Sequence, residues 1–445
     1  MSLPDIIWDG QEERFAQYLY SIGKALGHAD RHDPFQEYCI GLLLPGGDRK
    51  NLEQIAARIA PDHVCSTHYS LRHFVADSSW NDKLVLKAVC EQVLPAIQRH
   101  GKITSWIIDD TGMPKKGDAS VGVSHQYCGN LGKQANCQVA VSLSIANDFA
   151  SLPIAYQLYL PQKWTDDPER CRSAKIPNSV GFATKPQIAL EQVRQAKHEG
   201  IPIGIVIADA GYGNNTPFRD GIAALGLHYC VAVQKNILVW ESGKQALPPK
   251  RKKKNTRGRP ATRLRHTAKH TPVQIETFVR SLPTSAFRSV SWRQGTKELL
   301  CSRFAAVRIR IAHDDVRRSI PRSEEWLLIE WPTEENEPRK YWVSNLPPTT
   351  SRKTLVQYAQ SRWRIERDYQ ELKDELGLDH YEGRGWRGFH HHATLCIAAY
   401  GFLIKEKSAA LVGDFSPSTR IRQALTRRIP PLSPEYKPRG SPCKT

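Results

Sequence analysis

The sequence predicts an α/β protein: a mixed sheet with flanking helices, a helical N-terminal region and a β-rich insertion. Three observations carry this expectation. Residues 11–100 repeat apolar side chains at helical spacing. From about residue 103 the chain changes to short apolar runs separated by amphipathic stretches. Residues 234–345 interrupt that order with strand-like, tryptophan-containing runs.

In the N-terminal region, Phe15, Tyr18, Leu19 and Ile22 recur at helical spacing, as do Leu52, Ile55, Ala56 and Ile59. Pro61 ends the second of these helices, and Ser66 or Thr67 is placed to cap a third running through Leu71, Phe74 and Val75. Two short helices across a tight break fit either a helix-turn-helix or an ordinary bundle. Next come strands at Ile103–Ile108, Val139–Ile145 and Leu152–Leu160, a helix at Lys185–His198 and a buried strand at Ile203–Ala208. A short helix at Phe218–Leu225 and a strand at Tyr229–Val233 follow. Antiparallel hairpins followed by strand–helix–strand units make a mixed sheet covered by helices. The insertion holds Trp240, Trp292, Trp326, Trp331 and Trp342, with strands expected at Glu325–Trp331 and Tyr341–Ser344. Helix returns from Arg352 to Leu376, where Gly377 stops it, and again from Ala393 to Ile404.

Charge is unevenly distributed. The chain has 445 residues and a net charge of +18, which argues for a polyanionic partner, nucleic acid or an anionic membrane surface. Residues 1–100 carry 10 basic and 13 acidic side chains, so the remainder holds a surplus of 21. Ten basic residues and no acid lie between Lys250 and Lys269. That block repels itself and reads as a loop or arm. Lys252, Lys253 and Lys254 precede Arg257-Gly258-Arg259-Pro260, which resembles an AT-hook reading a narrow minor groove. The plainer reading is a loop contacting phosphates only. No apolar run approaches the ~18–20 residues of a membrane span. Met1–Gly10 lacks the start of a secretory signal. The 10 scattered cysteines form no CxxC pair and suit a reducing, cytoplasmic setting.

The chemistry rests on acids at defined places. Asp109 and Asp110 follow the apolar run Trp106-Ile107-Ile108, and Asp209 follows Ile205-Val206-Ile207-Ala208. Open α/β sheets place ligands at the carboxyl ends of strands. Glu366 follows Arg362 by four residues and precedes Lys373 by seven, so a continuous helix would set all three on one face. Converging carboxylates need a cation, and hard oxygen donors suit Mg²⁺ or Mn²⁺. Two such ions ~3.5–4 Å apart would clamp an in-line displacement at phosphorus. Lys115 and Lys116 follow the first strand closely enough to meet a phosphate, as Arg362 and Lys373 do from their helix. A single strand-end acid is more often a turn or cap residue, and the combination is what points to a site. Adjacent strand residues face opposite sides, so one of Asp109 and Asp110 is expected to reach the ions. His390-His391-His392, after Arg384, Trp386 and Arg387, fits DNA backbone contact, ordinary packing or, least well, a metal.

These residues resemble the DDE transposases of bacterial insertion sequences. The matching pieces are Asp109-Asp110-Thr111-Gly112 with Lys115-Lys116-Gly117, then Asp209, then the helix around Glu366. The family's helix signature is Tyr, two residues, Arg, three, Glu, six, Lys. Arg362, Glu366 and Lys373 keep its last two spacings, while Tyr358 stands one residue too early. The resemblance spans roughly residues 100–405. It implies an RNase H-like fold and a metal-dependent endonuclease and strand transferase. Asp109, Asp209 and Glu366 would hold two ions. The substrate would be the element's own terminal inverted repeats and target DNA, through a homodimer and by cut-and-paste, within the bacterial nucleoid. A structure-specific nuclease without strand transfer, or a transposase-derived DNA-binding regulator, are the alternatives.

The expected organisation is a helical region at 1–100 with a possible DNA-binding role, and a first part of the catalytic core at 101–233. The β-rich insertion with the arm 250–270 occupies 234–345, C-terminal core helices 346–410, and a basic tail 411–445. The arm carries a direct prediction. Neutralising Lys252, Lys253 and Lys254 together should weaken DNA binding and lower the slope of log K against log salt by about 0.9 per lost phosphate contact. A fluorescence-anisotropy titration across salt concentrations reads the slope, and an unchanged slope removes the arm from the DNA interface.

Overall fold

The computed structural model describes residues 11–44, 49–250, 261–295 and 299–409. The arm residues Lys252, Lys253, Lys254, Arg257 and Arg259, and the tail 411–445, lie outside them. The strands are β1 (Ser105–Pro114), β2 (Ser124–Cys128), β3 (Lys133–Ala146), β4 (Ser151–Leu158), β5 (Ile205–Ala208) and β6 (Tyr229–Val233). They continue with β7 (Leu238–Glu241), β8 (Val273–Gln274), β9 (Arg288–Gln294), β10 (Leu299–Ile311), β11 (Glu325–Glu330) and β12 (Lys340–Ser344). All belong to one mixed sheet. The α/β expectation holds, and β2 and β7–β10 are strands in addition to those read from the sequence.

The chain divides into two compact units built from separated segments. One comprises Met1–Thr104, Asp109–Gln192 and Arg364–Thr445, the other Ser105–Ile108 and Val193–Trp363. The division passes through β1, whose first four residues belong to the second unit.

In the first unit, β3 pairs antiparallel with β2 and β4. The helices Gln11–Gly23, His32–Leu43, Leu52–Ile59, Val64–Arg72 and Asp82–Gln98 realise the helical N-terminal region. Asn51 and Asn81 cap two of them: Asn51 accepts from Gln54 N at 2.9 Å, and Asn81 from Lys83 N at 3.0 Å. Neither Ser66 nor Thr67 caps the helix between them, which begins earlier at Val64; Ser66 Oγ instead donates to His63 O at 3.0 Å. The 24-residue helix Trp386–Ala409 is longer than the apolar run that announced it, and it packs on Asp82–Gln98 and His32–Leu43. Arg14 donates to both carboxylate oxygens of Glu406, at 2.8 and 2.7 Å.

His390, His391 and His392 are buried within that helix, so of the readings open in the sequence the structure supports packing. His390 accepts from Leu158 N at Nε2 and donates to Trp386 O at Nδ1. His392 accepts from Tyr38 Oη and donates to Gly377 O. His391 stacks 3.5 Å from the Trp80 ring, its two nitrogens each 2.9 Å from the carbonyls of Val75 and Trp80. The contacts of His390 and His392, one accepted and one donated by each ring, suit neutral imidazoles, whereas a neutral His391 ring donates to only one of its two carbonyls.

In the second unit, β1 runs parallel to β5 and β5 parallel to β6, with Ser105, Trp106 and Ile107 opposite Ile205, Val206 and Ile207. The strands of the insertion then extend the same unit in the order β6-β12-β11-β10-β7-β8, antiparallel throughout. One face of this sheet packs on the helix Arg352–Gln360 through Cys230, Phe304, Leu328, Trp342, Leu355 and Val356. The insertion's tryptophans are structural. Trp240 is buried and donates to Asp315 Oδ2 at 2.7 Å, and Trp292 meets Phe304 edge-on.

The expected single helix from Arg352 to Leu376 is broken. Arg352–Gln360 ends before a turn at Ser361 and Arg362. A second helix, Trp363–Gln370, passes into a π-helical turn at Glu371–Glu375. A π turn advances fewer degrees per residue and shifts the phase of every later side chain.

No helix among the described residues is long and apolar enough to cross a membrane. Burial lowers the pKa of His391 and His392 to about 4 in the fold, against ~6.5 unfolded. Their contribution to stability is therefore complete above about pH 6.5 and is lost as pH falls through 4. It amounts to on the order of 3 kcal/mol for each histidine. Urea midpoints should drop between pH 7 and 4.5, and His392→Gln should drop less; equal drops would contradict this account.

Candidate metal centre

Asp109 is not the terminus of its strand, as the sequence suggested: β1 continues to Pro114, and Lys115 N still donates to Asn136 O at 2.9 Å. Parallel register fixes where the acids fall. Ile107 stands opposite Ile207, so Asp109 and Asp209 each lie two residues beyond a matched pair. β5 itself stops at Ala208 because Asp209 caps the short helix Ala210–Gly213. Its Oδ1 accepts from Gly211 N at 2.8 Å and Tyr212 N at 3.3 Å. The cap role and a ligand role coexist on one carboxylate, since the cap bonds run to Oδ1. Gly213 completes the turn by donating to Asp209 O at 2.8 Å, and a Cβ on it would stand 1.8 Å from Ala232 O on β6.

Asp109 is 6% exposed. Its Oδ1 accepts from Asp110 N at 2.9 Å. Asp110 is half-buried and pairs through Oδ2 with Lys185 Nζ. Carboxylate oxygens of Asp109, Asp110 and Asp209 all lie within 4.8 Å of one another. Hard oxygen donors at this spacing suit Mg²⁺ or Mn²⁺, so the residues present fit a divalent ion.

Glu366 is not a member of that group. It is exposed on the helix Trp363–Gln370, one turn before Tyr369. Tyr369 bonds Ser142 Oγ on β3, and its pKa is raised well above the usual phenol value, by burial first and also by the charge of Asp109. The helix carrying Glu366 thus runs beside the strand carrying Asp109. Lys373 lies in the π turn, buried, with Nζ donating to Gly112 O at 3.2 Å and Asn130 Oδ1 at 2.7 Å. Burial lowers its pKa. Arg362 sits in the turn before the helix, so the common face expected for Arg362, Glu366 and Lys373 does not form as one regular helical stripe. Lys115 Nζ donates to Tyr381 O at 2.6 Å and Asp379 O at 3.4 Å, so its ammonium supports the chain after Gly377. Lys116 is exposed.

Sequence reasoning missed Lys185 and Asn130. The pairing of Lys185 with Asp110 joins positions 75 apart, and no motif marks either residue.

The family model for DDE superfamily endonucleases matches residues 22–299, a stretch containing Asp109, Asp110 and Asp209. The chain belongs to that family. It is also similar to a probable transposase for insertion sequence element IS701 from Microchaete diplosiphon, 30% identical over 189 residues. The similarity covers 42% of this chain and 45% of the relative, so it spans less than half of that protein. The large mixed sheet with helices and a helical N-terminal region is consistent with the RNase H-like fold of DDE endonucleases. Within it, the acids at the β1 and β5 positions are those the DDE resemblance picked out.

Gly213→Ala tests the support beneath Asp209. Crowding against β6 should cost about 1–3 kcal/mol in chemical denaturation, whereas an unchanged midpoint would show that the turn yields freely.

Proposed function

We propose that this chain is a transposase that cleaves DNA at the terminal inverted repeats of its own insertion sequence and joins the freed ends to target DNA by cut-and-paste. The observation that carries the proposal is the group of three carboxylates at matched strand positions in a chain of the DDE endonuclease family. A buried acid and a capped acid held this close repel one another, and a bound cation relieves that repulsion. Asp109 and Asp209 are the ligands we assign, with Glu366 as the third from its exposed helix. Two Mg²⁺ or Mn²⁺ ions bound there would activate the attacking oxygen and stabilise the leaving one.

The chain's own residues do the remaining work. Asp109 is fixed by burial and by Asp110 N, so it needs no reordering to meet an ion. The backbone amides of Gly211 and Tyr212 orient Asp209. Lys373 ties the helix after Glu366 to Gly112, two residues beyond Asp110 on the same strand. Lys116, Arg362 and the arm residues Lys252, Lys253, Lys254, Arg257 and Arg259 supply the cationic contacts for DNA phosphates. The surplus of 21 charges outside residues 1–100 gives the field that draws DNA in. Pairing of two element ends requires a homodimer, and the bacterial nucleoid is the setting such a substrate implies.

The test is a cleavage and joining assay on DNA bearing the element's ends, with Mg²⁺. Asp209→Asn and Glu366→Gln should each lower cleavage by at least a hundredfold and leave DNA binding intact, and EDTA should do the same to the unaltered chain. Cleavage at the original rate by either variant removes that residue from the site. Nicks without joined product would make the chain a nuclease.

A further inference from the structure

The Asp110–Lys185 pair has no part in the proposed reaction. Asp110 belongs to the acid group by position, yet its Oδ2 is bonded to the Lys185 ammonium. The pair is sheltered, with 22% of the Asp110 side chain and 32% of the Lys185 side chain exposed. Lys185 is also held in place. It opens the helix Lys185–His198, whose start is fixed by Thr184, which donates from its amide and hydroxyl to Gln187 Oε1 at 2.8 and 2.9 Å. Further along the same helix, Gln192 donates to Val141 O on β3 at 3.0 Å. The ammonium also stands 5.9 Å from the Tyr159 ring, a favourable cation–π distance. A lysine placed this way is built into the fold.

Three neighbouring carboxylates repel one another, and one fixed ammonium cancels one of the three charges. We propose that Lys185 is the resident counter-ion of the acid group. It holds Asp110 out of metal ligation, leaves Asp109 and Asp209 as the ligands from the two strands, and opposes the entry of a divalent ion. Lys185 is thus a positioning residue, and the proposal rests on the reading that this acid group binds a divalent ion. Its consequence runs against the usual effect of mutating a residue beside a metal site: removing Lys185 should strengthen metal binding, because a fixed positive charge nearby no longer repels the ion.

The experiment titrates the full-length chain with Mn²⁺ and follows free Mn²⁺ by electron paramagnetic resonance. Lys185→Gln should bind Mn²⁺ on the order of tenfold more tightly than the unaltered chain, and Lys185→Arg should match the unaltered chain. Lys185→Met repeats the neutralisation with a side chain that keeps the aliphatic contacts, and circular dichroism verifies that each variant is folded. Unchanged or weaker binding by folded Lys185→Gln and Lys185→Met overturns the counter-ion role. If Asp209→Asn meanwhile loses binding, the metal reading stands without it. If Asp209→Asn binds as tightly as the unaltered chain, the metal reading fails and takes the proposal with it.

Discussion

Mutual repulsion among Asp109, Asp110 and Asp209 is the constraint on which the candidate site depends. Carboxylate oxygens within 4.8 Å of one another would move apart on flexible loops. Here each is tied to backbone or to a fixed partner. Strand register sets Asp109 and Asp209 at equivalent positions, the Ala210–Gly213 cap pins one, and the amide of Asp110 pins another. Rigidity of this kind stores electrostatic cost in the metal-free chain and returns it when a cation arrives, which is how preorganised sites obtain affinity.

The surrounding fold makes that rigidity possible. The apolar residues Trp106, Ile107 and Ile108 of β1 and Val206, Ile207 and Ala208 of β5 are buried, and parallel pairing clamps the start of β1 to β5. The insertion is no appendage to its unit, because β12 pairs with β6 and carries the sheet onward through β11 and β10. Phe304, Trp342 and Leu355 bury its face against a helix. In the other unit, the helix Trp386–Ala409 is buried for most of its length, and two of its histidines, His390 and His392, each accept at one ring nitrogen and donate from the other. Most polar groups that deep are hydrogen-bonded.

Much of this was legible in the residues. The helix Lys185–His198 and the strand Tyr229–Val233 have the bounds their apolar periodicity predicts, because side-chain period is a local property. Strand-end acids were legible because an apolar run followed by Asp is an abrupt change. What escaped had non-local causes. β1 continues through Asp109-Asp110-Thr111-Gly112, a stretch that reads as a stop, because partners distant in sequence extend it. The break at Ser361-Arg362 and the π turn at Glu371–Glu375 leave no mark in a pattern that suits one long helix. Lys115 and Lys373 look like phosphate contacts, yet their ammonium groups are spent on carbonyls and on Asn130. Lys185 was invisible because only the fold brings it to Asp110.

The central claim is that one acid from β1 and one following β5 share a divalent ion. Anomalous diffraction from crystals soaked in Mn²⁺ tests it most directly. The account predicts an anomalous peak about 2.1–2.2 Å from one oxygen of Asp109 and one of Asp209, with Asp110 still paired to Lys185. A peak elsewhere on the chain, or none at saturating Mn²⁺, would contradict it.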